Sequence, residues 1–256
     1  MIWTPFYDAV HGCSSYLVGD EVSGLGVVVD PLAEVGAEEY LLTAQEAGLR
    51  VAWVVETHVH ADHRSAGREL AEAAGIAVSF HHRAPVSYPV HPLRDGQRLE
   101  LGDVVLEVWE TPGHTEDSLS LLVYDRRRAE EPWGVLTGDS LFVGDVGRPD
   151  LAVSSPEAAV AAASAQFDSV RRLLALPEYV AVHPAHFGAS ACGGIFLSRT
   201  PHSTIGFERR HNRLARIEDR QAFVDEVLRH LKPPPEAARS IRAENLGLAV
   251  KAGRSA

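Results

Sequence analysis

Residues 54–63, "VVETHVHADH", close an apolar run and then place three histidines and an aspartate within six positions: His58, His60, Asp62 and His63. Imidazole and carboxylate side chains gathered this densely are metal ligands by chemical type. The preceding "VAWVVET" (51–57) is apolar throughout and of strand length, the pattern of a strand buried on both faces. At period two such a strand would carry His58 and His60 to one side, and the turn after it would bring Asp62 and His63 to the same place. Ligands then converge at the carboxyl end of a buried strand, a common position for sites in α/β folds.

Outward from this stretch, "SSYLVGDEVSGLGVVVDP" (14–31) reads as two strands around a turn and "GAEEYLLTAQEAGLR" (36–50) as a helix. On the other side, "RSAGRELAEAAG" (64–75) is a helix and "IAVSF" (76–80) a strand, giving a β-α-β-α-β order. "QRLELGDVVLEVWETPGH" (97–114) alternates like a hairpin turning at Gly102-Asp103. "SLSLLVYD" (118–125) and "WGVLTGDSLFVGD" (133–145) supply two more strands, and "YVAVHPAH" (179–186) another. Ser155-Pro156 is an N-cap followed by proline at the first helical position, opening a helix to about residue 176. From about Phe207 the chain reads as mostly helical. The expected class is α/β, two mixed β-sheets packed face to face with helices outside, as one domain over 1–256 with a short helical extension from about 207.

Bulk properties narrow the function. The chain has 256 residues and a formal charge of -11. An acidic chain of this kind lacks the basic stripe of a nucleic-acid binder. No run approaches the eighteen apolar residues of a membrane span, and the N-terminus has no secretory pattern, so a cytoplasmic protein is expected. Two cysteines, Cys13 and Cys192, cannot build a disulfide framework.

Three further candidates each follow a strand: His114 in "TPGH", Asp139 in "LTGD" and His186 in "HPAH". One such histidine is ordinarily a core residue; four coincidences in one chain point to a single site. The order HxHxDH, PGH, TGD, PAH resembles the metallo-β-lactamase superfamily from about residue 10 to 215. The resemblance implies an αββα sandwich. It also implies that His58, His60 and His114 face one metal position and Asp62, His63 and His186 a second, with Asp139 between them.

Two chemistries fit that ligand list. A metal pair makes a hydrolase, whereas one Fe(II) on two histidines and a carboxylate, here His58, His114 and Asp139, makes an oxygenase. "GDVGRPDL" (144–151) and "HPAHFGASACGG" (183–194) resemble the persulfide dioxygenases of the branch often fused to rhodanese domains, here expected without that domain. This implies one Fe(II) per chain and oxidation of a low-molecular-weight thiol persulfide, such as glutathione persulfide, by O2 to sulfite and free thiol. Arg148 and Cys192 would then belong to the substrate site, with Arg199 and Arg210 as cationic partners of an anionic carrier. A homodimer and a separate sulfurtransferase are the partners such an enzyme would have. The rival is a glyoxalase II-like thioester hydrolase or lactonase with two Zn(II). His183 and Phe187 depart from the family pattern, and His81, His82 and His91 read as surface residues.

Overall fold

A computed structural model describes residues 1–188, 190–231, 233 and 235–248. One six-stranded sheet runs β1 (Ile2–Asp8), β2 (Cys13–Asp20), β3 (Leu25–Val29), β4 (Arg50–Val55), β5 (Val78–His81) and β6 (His91–Leu93), in that spatial order. The second contains β7 (Arg98–Glu100), β8 (Val104–Glu110), β9 (Leu119–Asp125), β10 (Gly134–Gly138), β11 (Ala181–Pro184) and β12 (Ser203–Thr204), also side by side in sequence order. Both sheets are mixed: β3 to β6 pair in parallel, as do β10 and β11. Helices α1 (Ala37–Glu46) and α2 (Gly67–Ala74) cross over between the parallel strands β3, β4 and β5. The others are α3 (Pro156–Leu174), α4 (Ile205–His211), α5 (Arg220–Arg229) and α6 (Ala238–Asn245).

The layering follows from side-chain alternation along strands buried on both faces. Tyr16, Val18, Val27 and Val29 point inward to meet Leu106, Val108, Leu121 and Val123 of the second sheet. Their neighbours Leu17 and Val28 point outward onto Tyr40, Ala44, Leu70 and Ala71 of α1 and α2. Leu122, Val135 and Val182 do the same on the far side, against Phe167, Val170 and Leu173 of α3 and Phe223 and Val227 of α5. Three apolar cores thus separate four layers, the αββα sandwich expected from the sequence.

Several local expectations need correction. β4 stops at Val55, so the histidine motif is an irregular loop rather than a strand end. The expected strand over 133–145 ends at Gly138 and that over 179–186 spans only Ala181–Pro184, because the ligand residues that follow leave the ladder. β1 carries no sequence signal that set it apart, since its Pro5 suits only an edge strand and β1 is one. His81 is buried, its Nε2 3.1 Å from a Glu110 carboxylate oxygen. Residues 249–256 of the expected helical extension lie outside the described residues.

His183, the departure noted above, sits in an aromatic cage. Its ring stacks on Trp133 at 5.4 Å and lies 4.5 Å from Trp3 and 5.8 Å from Tyr16. Neither ring nitrogen has a hydrogen-bond partner. Burial, helped by the charge of His202, lowers its pKa to about 3, so the ring serves as a neutral aromatic. Since the unfolded chain takes up this proton near pH 6.5 and the folded one only near pH 3, the contribution is complete above pH 6.5 and drains away as pH falls. Relative to His183→Phe, the metal-free wild type should lose up to about 1.4 kcal/mol per pH unit between those values. Urea melts of both proteins at stepped pH check this; parallel curves would refute it.

Candidate metal centre

The motif loop is fixed from below by Asp30, which follows β3 and adopts a positive φ of 51°. Aspartate is among the few residues that enter this left-handed region with little penalty. Its carboxylate accepts the Thr57 backbone N–H at 2.7 Å and the Thr57 hydroxyl at 2.9 Å. Because the hydroxyl donates to Asp30, it is an acceptor toward His58 Nδ1, 3.0 Å away. His58 therefore carries its proton on Nδ1, which leaves the Nε2 lone pair free. That nitrogen is buried without a hydrogen-bond partner.

His114 arrives by a different route with the same tautomer. Its Nδ1–H donates to the Arg148 carbonyl at 2.7 Å, and Nε2 lies 3.3 Å from Asp139 Oδ2. His58 Nε2 stands 3.7 Å from the same oxygen, itself buried and without a hydrogen bond. Asp139 leaves β10 through a register shift between Leu136 and Gly138, where φ is 51°. Gly147 packs so tightly behind it that an added Cβ would lie 1.8 Å from the Asp139 carbonyl oxygen. Burial disfavours the Asp139 charge, yet His186, His58 and His114 around it hold its pKa well below the ordinary carboxylate range. Burial, then the charge of His60, pushes the His58 pKa down. Two neutral imidazoles and one carboxylate with lone pairs facing one point match the chemistry of a divalent metal site, and the orphaned buried atoms are what a bound ion would satisfy.

His60 lies beside His58, with ring centroids 4.0 Å apart; its Nε2 is 3.1 Å from Asp30 and 3.4 Å from Glu56, and its Nδ1 is buried without a hydrogen-bond partner. Asp62, His63 and His186 form a second donor set, and the buried Cys13 stands with them. Sequence spacing gave no sign of Cys13, which begins β2 some fifty positions before the motif. Cys192 is the buried neighbour of Asp139 and His186 on the other side. The two thiols differ: burial with Asp62 and Asp139 nearby pushes Cys192 well up, whereas at Cys13 the effect of burial is outweighed by hydrogen bonds from His186 and His63, which bring it to about 7. A thiol acts as a nucleophile toward sulfur as the thiolate, and the surroundings of Cys192 disfavour that form.

Arg148 is 5% exposed and forms a two-bond pair with Asp150, Nε to Oδ1 at 2.8 Å and Nη2 to Oδ2 at 2.9 Å. A third bond reaches the Ala191 carbonyl, beside Cys192. It ties the loop bearing its own carbonyl, the partner of His114, to the loop bearing Cys192. Arg210 is paired with Glu178 at 2.9 Å, and Arg199 is exposed. A cavity of about 450 Å³ opens beside His114 instead under Arg83 and Arg242, floored by Ala158, Ala161, Ala162 and Ala165 of α3. Neither arginine stands in a motif, so only the fold brings them to the site. No described helix is long and apolar enough to cross a membrane.

The fold and this centre define a metal-binding αββα protein, and the family model of the metallo-β-lactamase superfamily matches residues 8–186. The chain belongs to that superfamily. It is 29% identical over 173 residues to a mitochondrial persulfide dioxygenase ETHE1 of Bos taurus, covering 67% of this chain and 63% of that one. The crystal structure of ETHE1 from Myxococcus xanthus superposes with a TM-score of 0.81 at 29% identity, over 97% of this chain and 100% of that one. A hydroxyacylglutathione hydrolase of a Methylobacterium species is 30% identical over 172 residues, 66% of this chain and 60% of the relative. The chain thus matches less than two thirds of the length of either curated relative.

Proposed function

We propose that this chain is an Fe(II)-dependent persulfide dioxygenase acting on a low-molecular-weight thiol persulfide. The observation that carries the reading is the donor set: Nε2 of His58 and of His114 and Oδ2 of Asp139 face one point, while His60 Nε2 is turned toward Asp30 and Glu56. Two histidines and a carboxylate leave the open positions that an oxygenase needs. Bound there, Fe(II) would supply a position for the soft persulfide sulfur and another for O2. The balance is one persulfide, one O2 and one water giving one thiol, one sulfite and two protons.

The chain's own contribution is orientation and exclusion of water. Thr57 and the Arg148 carbonyl hold both imidazoles in one tautomer, so no proton occupies a ligand nitrogen. Arg83 and Arg242 would hold carboxylates of the carrier, and the alanine face of α3 its apolar stem. Arg242→Ala should raise KM about 10-fold with kcat nearly unchanged, the signature of binding lost equally from ground and transition state. Steady-state oxygen uptake at varied glutathione persulfide measures it, and an unchanged KM would remove Arg242 from the substrate site.

A thioester hydrolase with two Zn(II) is the second reading, favoured by the donor set of Asp62, His63 and His186 adjoining the triad. Protein isolated with its native metal and offered both substrates separates the two. Iron with oxygen uptake on glutathione persulfide supports the dioxygenase. Two zinc ions with thioester cleavage and no oxygen uptake overturn it.

A further inference from the structure

Between β4 and α2 the histidine motif runs outside any strand, so the carbonyls of its buried residues have no ladder to satisfy them. The first half of the loop is fixed by neighbouring loops: Asp30 holds Thr57, and the Asp117 carboxylate accepts the Val59 N–H at 2.9 Å. The second half is fixed from α6. Asn245, at the C-terminal end of that helix and 9% exposed, donates from Nδ2 to the carbonyls of His60 and His63, both at 2.9 Å, and its Oδ1 accepts the Ser65 N–H at 3.1 Å. A primary amide has two N–H groups and a carbonyl oxygen, so one side chain satisfies all three loop groups. The reverse placement of the amide would set its oxygen against two carbonyl oxygens, which fixes this orientation.

The helix is itself docked at the same end. The Tyr88 hydroxyl donates to the Asn245 carbonyl at 3.0 Å, and Ser87 donates both its N–H and its hydroxyl to the Leu246 carbonyl, each at 2.9 Å. These are carbonyls that a helix end leaves without an internal partner. Arg242, one turn before Asn245, lines the cavity beside His114, so one short helix touches both the cavity and the motif loop.

We propose that Asn245 is a positioning residue of the metal centre: its amide sets the shape of residues 60–65, which carry His60, Asp62 and His63, from a helix 182 positions beyond His63 in the chain. Without it two buried carbonyls lose their donors, and the loop holds its course only at the cost of leaving them unpaired. His58 leads into the same loop, so its shape bears on the triad as well as on the adjoining donor set, and the assignment holds under either reading above.

The test is a Co2+ titration of the metal-stripped full chain, with chelator competition reading affinity and the visible d–d absorption reading ligand geometry. Asn245→Ala should bind Co2+ about 10-fold more weakly, the lower end of the loss seen when an outer partner of a metal ligand is removed, and with an altered visible band. Asn245→Asp keeps the acceptor for Ser65 but sets a carboxylate against two carbonyl oxygens, and should lose at least as much. Tyr88→Phe loosens the docking of α6 without touching the loop, and should keep the affinity and spectrum of the wild type. Wild-type affinity and spectrum in Asn245→Ala, or an equal loss in Tyr88→Phe, overturns the assignment. Should Asn245→Ala not fold, Asn245→Asp decides by the same two readouts. Neither readout depends on oxygen uptake, so this assignment and the catalytic proposal can fail separately.

Discussion

Asp139→Asn is expected to lower oxygen uptake at least about 100-fold, beyond the range seen when only an outer partner of a metal ligand is lost, and to leave the purified protein with little iron. The reason lies in how much converges on one carboxylate. Oδ2 faces His58 at 3.7 Å and His114 at 3.3 Å, while Oδ1 takes the His186 N–H at 2.6 Å. Asparagine keeps the size but removes the charge, and its amide offers N–H groups where lone pairs are needed. Iron per chain by elemental analysis and affinity by chelator competition measure the effect. Full iron retention in the variant would mean that the triad is not the metal site.

The second large effect is expected at Asp30, which touches no proposed ligand of the triad. Asp30→Ala removes the acceptor of the Thr57 N–H and hydroxyl and the carboxylate 3.1 Å from His60 Nε2, all buried. Leaving these groups unpaired should cost about 3–5 kcal/mol of stability, as for other broken buried pairs. Alanine is also strained at the positive φ of this position. Freed from Asp30, the Thr57 hydroxyl can rotate to donate to His58 Nδ1, which favours the tautomer with the proton on the ligand nitrogen. Metal affinity should fall about 10–100-fold. Denaturant melts of the metal-free protein and chelator competition on the loaded one read the two effects. Glu244→Ala is the control: its pair with Arg64 is exposed and should contribute about 0–1 kcal/mol. A stable, tightly binding Asp30→Ala would show that the loop holds its shape without this anchor.

The layered architecture was legible because its cause is local. A strand buried on both faces must be apolar throughout, as "VAWVVET" is, and a crossover helix needs the 3.6-residue spacing that residues 36–50 and 64–75 display. The spread of His58, His114, Asp139 and His186 over the loops after separate strands was visible for the same reason, since each follows closely on a segment with a strand pattern. Less legible were elements with mixed or short signals. β1 gave none, and the strands before Asp139 and His186 end earlier than their apolar runs suggest.

The amino-acid order alone determined the fold class and the residue types gathered for the metal, since hydrophobic period and ligand chemistry are properties of neighbouring residues. Only the tertiary structure decided which donors meet. It turned His60 Nε2 toward Asp30, tied the Arg148 guanidinium to the Ala191 carbonyl, brought Arg83 and Arg242 to the cavity, and set Cys13 against His186. These are contacts between residues far apart in the chain, fixed by strand register, loop path and hydrogen-bond direction, which no spacing in the sequence records.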